Sequence, residues 1–182
     1  AEHLEEGLFC CPHCHEFNTL TTLNDTIKCS NCGFYNVVNK YALFESPDPK
    51  FEHFEDPIAW DKYQTQYLEK YLKGLECDDE NPIVSKYSSI VKYGDSTTNY
   101  AEIEEQQGSL EVFKTHLLLT LGLETIRIKL DDILKCYVEF KKTLEVKTSS
   151  IKFRFYDDES IWSPYHFSKI INILKSLNES KI

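Results

Sequence analysis

The alternation of apolar and polar residues divides the chain into three stretches. In residues 1–55, short alternating runs flank a turn at Asn24-Asp25, which predicts a β-hairpin. Residues 58–76 carry Tyr and Leu at helical spacing instead. From residue 83 onward, about seven short alternating runs predict strands, and a helical period returns at the end of the chain. The pattern therefore predicts an α+β, mostly β protein.

The middle stretch has a clear helix start. Asp56 suits an N-cap and Pro57 suits the first helical position. The helix should end before CDDENP, which we interpret as a domain boundary. The predicted core-facing stripe consists of Ala59 or Trp60, then Tyr63, Tyr67, Tyr71 and Leu75, widened by Leu68 and Leu72.

The last hundred residues contain a run of predicted strands and one closing helix. Ser163 is the expected N-cap of that helix and Pro164 its first residue. The predicted apolar face of the helix consists of Phe167, Ile170, Ile171, Leu174 and Leu177. Sequential antiparallel strands of this number imply two packed sheets or a barrel. The predicted strands are IVSKYSSIVKYG, TTNYAEIEEQ, GSLEVFKTHLLLTLG, ETIRIKL, ILKCYVEF, KTLEVKTSS and IKFRFYDD.

Two C-x2-C pairs bracket the predicted hairpin. The first is Cys11 and Cys14, and the second, after 14 intervening residues, is Cys29 and Cys32. Each pair can present two thiolates from one tight turn, and tetrahedral zinc takes four such ligands. Gly33 follows the second pair, where a turn needs a residue that tolerates positive φ. Two such pairs joined by a hairpin predict a zinc ribbon.

The ligand set decides what the zinc would do. A catalytic zinc keeps one position open for water, whereas four cysteines close the shell, so we expect a structural Zn²⁺. Cys10 lies beside the motif, and we interpret it as a spare thiol; if it replaced Cys11, the first spacing would become C-x3-C. Cys77 and Cys136 have no close partner in the sequence.

Charge separates the stretches further. The formal net charge of the whole chain is -10. Residues 1–57 hold 10 acidic and 3 basic residues, a balance of -7, while residues 83–182 hold 14 of each. An acidic metal-bearing half argues against nucleic-acid binding, which relies on clustered Lys and Arg. No apolar run is long enough to span a membrane and the N-terminus does not resemble a signal peptide, so we expect a cytoplasmic protein, at most peripheral to the membrane.

The C-terminal stretch resembles the pleckstrin-homology (PH) and GRAM architecture. GSLEVFKTHLLLTL, IRIKLDDILKCYVEF and the terminal helix stretch follow a GRAM-like order. The resemblance implies a seven-stranded barrel closed by the C-terminal helix, and a domain that binds phospholipid headgroups or proteins. Acidic residues accompany the lysines of the first hairpin, which departs from the lipid-binding pattern of the family. A second basic set could meet an anionic membrane surface, although a solvated strand face is the simpler interpretation. That set is Lys129, Lys135, Lys141, Lys142, Lys147, Lys152 and Arg154.

Residues 9 to about 70 carry a second resemblance. CPHCHEFNTL, CSNCGFYNVVNKYALFE and then WDKYQ are similar to the extension behind the catalytic domain of some bacterial 1-acylglycerol-3-phosphate acyltransferases. The catalytic domain of that family uses a His-x4-Asp pair, and no histidine of this chain is followed by Asp at that spacing. The resemblance therefore implies a non-catalytic C-terminal piece of such an enzyme, with no catalytic residue of its own.

Together these patterns predict three parts: a zinc ribbon in residues 1–55, an amphipathic helix and linker in 56–82, and a PH/GRAM-like domain in 83–182. The leading hypothesis is a non-catalytic region of a phospholipid-synthesis acyltransferase-like protein that serves placement at a membrane or on a protein. The alternative is a stand-alone protein-interaction adaptor. A zinc-ribbon nucleic-acid binder is the third candidate, and the acidic balance of residues 1–57 speaks against it.

Overall fold

The N-terminal part folds as a small four-stranded antiparallel sheet. A computed structural model describes residues 3–51, 54–76, 80–140, 142–157 and 162–179. The predicted hairpin is present, with Leu23 paired to Thr26 across the Asn24-Asp25 turn, where both turn residues have positive φ. The run after the second Cys pair forms two short strands rather than one. In chain order and in sheet order these strands are β1 (Leu20–Leu23), β2 (Thr26–Cys29), β3 (Tyr35–Val38) and β4 (Phe44–Glu45).

Helix α1 (Pro57–Gly74) follows the small sheet and begins as predicted. The Asp56 carboxylate accepts a hydrogen bond from the Ala59 backbone N–H at 2.7 Å, which satisfies one of the free donors at the helix start. The buried stripe differs from the predicted one. Tyr63 and Tyr67 are only partly buried, and Tyr71 is exposed. The buried residues are Trp60, Gln64, Leu68 and Leu72.

The C-terminal part is a seven-stranded antiparallel sheet. Its order is β8-β7-β6-β5-β11-β10-β9, so the first and last strands of the sequence, β5 and β11, are neighbours in its middle. The predicted closed barrel is wrong in one respect: β8 and β9 are the two edges, and among the described residues they do not pair. The strands are β5 (Val84–Asp95), β6 (Glu105–Val112), β7 (His116–Leu121), β8 (Glu124–Lys129), β9 (Lys135–Glu139), β10 (Thr143–Lys147) and β11 (Ile151–Tyr156).

The large sheet has seven strands, as predicted, but two of the predicted runs do not coincide with single strands of the structure. The run TTNYAEIEEQ is mostly a loop, because Asp95 and Asn99 accept backbone hydrogen bonds that turn the chain into a short 3-10 turn at Tyr100–Glu102. GSLEVFKTHLLLTLG instead divides into β6 and β7. Gly108 lies inside β6, where a side chain would meet the Thr120 carbonyl oxygen at 2.7 Å. A glycine there permits close approach of two strands.

Helix α2 (Pro164–Glu179) covers one face of this sheet, as the helical period predicted. Ser163 Oγ accepts a hydrogen bond from the His166 backbone N–H, which confirms the cap. Four of the five predicted apolar residues are buried, and Leu177 is partly buried at the end. The molecule is thus mostly β, with two sheets and two helices.

The two sheets have separate hydrophobic cores that meet along α1. Trp60 belongs to the core of the small sheet, whereas Leu68 and Leu72 belong to the core of the large one. Phe9 crosses from the N-terminal segment into the large core, where its ring stacks on His166 of α2 with 4.3 Å between centroids. One helix therefore contributes side chains to both cores.

Candidate metal centre and basic face

Four cysteine side chains converge at the end of the small sheet. Cys11 and Cys14 come from the turn before β1, Cys29 is the last residue of β2, and Cys32 lies in the turn that follows. All four sulfur atoms lie within 4.8 Å of one another. Among the described residues, no other group of three Cys, His, Asp or Glu side chains is close enough to share a metal ion. The predicted ligand set is therefore brought together in space.

The sulfur separations fit a tetrahedral ion. Cys11 Sγ lies 3.7 Å from Cys32 Sγ, and Cys14 Sγ lies 3.7 Å from Cys29 Sγ. A zinc–sulfur bond of about 2.3 Å in tetrahedral geometry requires sulfur atoms about 3.8 Å apart. Four cysteine sulfur atoms at this spacing complete a tetrahedral ligand shell, so no coordination position remains for a reacting water. The donor set and geometry thus suit a structural metal site.

Neighbouring donors stabilise the thiolate form of one ligand. Burial acts to raise the pKa of Cys29, but hydrogen bonds from Thr19 Oγ1 and from the backbone amides of Cys32 and Asn31 outweigh it and lower the pKa to about 7. Burial raises the pKa of Cys11 instead. Metal binding requires deprotonated thiols, so the hydrogen bonds at Cys29 favour loading at neutral pH.

Cys10 stays outside this group. It is fully buried, its Sγ lies 3.8 Å from the Cys11 carbonyl oxygen, and burial raises the pKa of its thiol to about 12. Its interpretation as a spare thiol agrees with this position. Cys136 is also buried, with its sulfur 3.9 Å from Ser168 Oγ. Cys77 lies outside the described residues.

A buried amide joins the metal-bearing segment to α1. Gln64 Oε1 accepts hydrogen bonds from the backbone N–H groups of Phe9 and Cys10, and its Nε2 donates to the Gly7 carbonyl. Trp60 Nε1 donates to the Cys10 carbonyl at 2.9 Å. Both side chains are fully buried, so each unmade bond would be costly. Trp60 lies on the predicted core stripe, whereas the burial of Gln64 was not predicted, because a polar residue carries no apolar signal.

The predicted basic set does not form one patch. Lys129 ends β8, at the opposite edge of the sheet from β9, and Lys142 lies in the turn between β9 and β10. Arg154 is held by two carboxylates, with Glu139 at 2.6 Å and Glu145 at 2.8 Å. Lys141 lies outside the described residues. The remaining three members are Lys135, Lys147 and Lys152, called the lysine row below.

The lysine row lies straight across three strands. Lys147 of β10 is the cross-strand partner of Lys135 on one side and of Lys152 on the other. Neighbouring strands are about 4.8 Å apart, so the three side chains leave the same face close together. No described carboxylate forms an ion pair with any of them; Asp95 lies near Lys152, but its carboxylate accepts hydrogen bonds from Thr97. Like charges placed directly opposite destabilise a sheet, and among the described residues only Lys152 has a compensating contact, its Nζ lying 4.3 Å from the centroid of the Tyr100 ring.

Several solved structures are similar to part of this chain. Three of them are the C-terminal domain of an unknown protein from Leishmania infantum (15% identity, 62% of this chain, 96% of that chain, TM-score 0.35), the N-terminal PH domain of human ARAP2 (14%, 59%, 88%, 0.38), and the inner membrane complex sub-compartment protein 3 from Toxoplasma gondii (15%, 62%, 85%, 0.38). No family model matches the chain, and no curated protein matches it. Since each TM-score is below 0.5, the description of the fold rests on the strand order alone.

The two helices do not have the character of membrane-spanning segments. Neither α1 nor α2 combines the length and apolar character needed to cross a bilayer, within the part of the chain that the structure describes.

Proposed function

We propose that this chain is a non-catalytic placement module, in which a zinc-bound N-terminal unit braces a PH-like sheet that docks on an anionic membrane surface. The four-cysteine site supports a structural role for the metal, because its ligand shell is complete. Cys11, Cys14, Cys29 and Cys32 would hold the zinc. Gln64 and Trp60 of α1 form hydrogen bonds with the backbone of the metal-bearing segment. A segment ordered by zinc would therefore hold α1, and with it the large sheet, in a fixed position.

The lysine row is the observation that carries the membrane part of this proposal. The chain as a whole has a net charge of -10, yet this face presents three adjacent cations without a described acidic partner. A cation well placed at an anionic membrane contributes about 1 kcal/mol, and three together would suffice for reversible binding. The same cations repel one another in the free protein, and an anionic surface would relieve that repulsion.

Exposed leucines lie at the same end of the sheet. Lys147 and Lys152 flank the β10–β11 turn, and the register of β11 with β5 places the end of β5 beside that turn. The β7–β8 turn leaves this end as well, and Leu123 at its tip is fully exposed. Leu134, next to Lys135, is 61% exposed. Apolar side chains beside cations suit the boundary between headgroups and acyl chains.

The parent protein is a further part of the proposal. We infer from the resemblance of residues 9 to about 70 that this region belongs to a phospholipid-synthesis acyltransferase-like protein. The intact gene tests this directly, since the inference requires a catalytic domain with a His-x4-Asp pair upstream of Ala1. A gene that encodes no such domain would leave the module without its proposed parent.

Liposome flotation of the zinc-loaded chain tests the placement function. The triple variant Lys135→Gln, Lys147→Gln, Lys152→Gln should lose roughly a hundredfold in partitioning to vesicles containing anionic phospholipid, from about 1 kcal/mol per cation. The matched control is Lys40→Gln, Lys62→Gln, Lys70→Gln, which changes the net charge equally at exposed residues outside the large sheet. The control should float like the unmodified chain.

Two results would reject this function. If the unmodified chain fails to float at low salt on anionic vesicles, the membrane role is wrong and the adaptor alternative gains. If both triple variants lose partitioning equally, only general charge matters and the lysine row has no special part. Elemental analysis of the same preparation should give one zinc per chain.

A further inference from the structure

A groove lies where the N-terminal segment, α1, β9 and α2 meet. It encloses about 520 Å3, within the range of pockets that bind ligands in proteins. Its walls are mainly apolar and include Leu4, Leu8, Pro57 and Val138, with the Tyr165 ring of α2 on one side. The groove shares β9 with the lysine row, because Val138 follows Lys135 by three residues, but the rest of its lining comes from the N-terminal segment, α1 and α2. It therefore requires its own explanation.

The backbone of β9 faces this groove. Asn172 of α2 donates a hydrogen bond from Nδ2 to the Cys136 carbonyl, at 3.1 Å. The backbone groups of Cys136 therefore point outward from the edge of the sheet, away from β10. Residues two apart in a strand direct their backbone groups the same way, which makes Val138 the next residue with outward N–H and C=O groups. The Cys136 carbonyl is already occupied by Asn172 and Ser168, whereas no described residue outside the sheet forms a hydrogen bond with the backbone of Val138, which lines the groove. An extended chain could pair with this backbone there.

Two carboxylates stand at the wall of the groove. Asp61 already accepts hydrogen bonds from Tyr165 and Gln64, and Lys169 Nζ lies 3.7 Å away. Within the part of the chain that the structure describes, the one basic group near the Glu6 carboxylate is His3 Nδ1, at 4.0 Å. Glu6 is thus the charge in the groove that lacks a close permanent cation among the described residues. A long basic side chain matches this lining, because its stem packs on apolar surface while its head reaches a carboxylate.

We propose that the groove binds an extended segment of a partner protein, which adds as a strand beside Val138 and inserts one Lys or Arg side chain toward Glu6. Main-chain pairing would supply affinity, and the inserted side chain would supply selectivity. Phe140, 85% exposed two residues beyond Val138, would continue the apolar contact along the segment. This site is independent of membrane docking and would let the module hold a protein and a surface at once.

The test is an NMR titration of the full zinc-loaded chain with the capped pentapeptide Ac-Val-Thr-Arg-Thr-Val-NH2. The backbone amides of Leu8, Val138 and Tyr165 should shift. A norleucine analogue that lacks the guanidinium, and an analogue with an N-methyl group on the arginine amide, should each bind about fivefold more weakly, from one lost charged contact or one lost hydrogen bond. Glu6→Gln should remove the preference for arginine over norleucine. Glu16→Gln, an exposed acid of the N-terminal part, is the matched control and should keep that preference.

Three results would overturn the proposal. The first is no shift at the groove amides at millimolar peptide, or shifts confined to other acidic surfaces. The second is equal binding of the arginine and norleucine peptides by the unmodified chain. The third is equal binding of the peptide, its N-methyl analogue and arginine amide, which would assign the groove to small amines instead of strands. None of these results bears on liposome flotation, so the two proposals fail separately.

Discussion

The two sheets reach order by different means. The small sheet has strands of two to four residues and carries the acidic balance of the chain, while the large sheet has strands of five to twelve residues and no net charge in its stretch. Short strands bury little apolar surface, so a small unit of this kind depends on a metal or on a neighbour. The large sheet encloses its own core under α2. Helix α1 therefore joins the small sheet, which depends on metal or on a neighbour, to the large sheet, which needs less support.

Metal loss should give the largest effect and should act on one sheet only. Cys29→Ser leaves three thiolates and an incomplete ligand shell, and a chelator removes the metal from all four cysteines. We expect residues 3–51 to lose amide protection entirely, while β5 to β11 keep most of theirs. Hydrogen exchange read by mass spectrometry measures both halves in one experiment, and Ser30→Ala, beside the ligand, is the control. Equal loss of protection in both sheets would show that the dependence runs in both directions.

Truncation in the core of the large sheet should act on the whole chain. Phe155 is fully buried on β11, and Phe155→Ala should lower the free energy of unfolding by about 3–5 kcal/mol. Because Phe9 and α1 pack on this core, the small sheet should lose protection as well. Chemical denaturation with probes in each half checks this. If the small sheet keeps its protection in the variant, it needs only the metal and not its neighbour.

Removal of the amide at the junction should cost less but should uncouple the halves. Gln64→Leu keeps the volume and leaves the backbone groups of Phe9, Cys10 and Gly7 without their buried partner, at a cost of about 2–3 kcal/mol. Two separate unfolding transitions should replace one in calorimetry. Gln66→Leu, at an exposed position of the same helix, should leave a single transition. A single transition in both variants would mean that apolar packing alone couples the sheets.

Some of this architecture follows from local patterns and some does not. The Cys pairs, the caps at Asp56 and Ser163 and the face of α2 depend on neighbours within a few residues, which the sequence displays. The loop at Tyr100–Glu102 was not predicted, because the side chains of Asp95 and Asn99 accept backbone hydrogen bonds that override the alternating pattern. The lysine row and the role of Gln64 depend on register and on contacts between distant segments, which no local period reveals.

Acid should weaken the junction through His166. The ring is buried between Phe9 and Phe17, neither nitrogen has a hydrogen-bond partner among the described residues, and burial lowers its pKa to about 3. A lowered folded-state pKa means that the unfolded chain binds the proton first, so stability is complete above pH 6.5 and falls below it. The loss should be about 1.4 kcal/mol at pH 5.5. His166→Phe should remove this slope at constant zinc, and an unchanged slope would assign the acid sensitivity to the metal site.

The helix start gives the smallest expected effect and the finest comparison. Asp56→Ala removes the cap on the Ala59 N–H and should cost about 1 kcal/mol, measured by urea unfolding. Because Trp60 sits one turn inside α1 in the core of the small sheet, the loss should appear as faster exchange in residues 3–51 and not in β5 to β11. Asp131→Ala changes an exposed acid whose side chain caps nothing and should cost nothing measurable. If Asp56→Ala instead loosens both sheets alike, then α1 stabilises the two cores as one body and the small sheet is no more dependent than the large one.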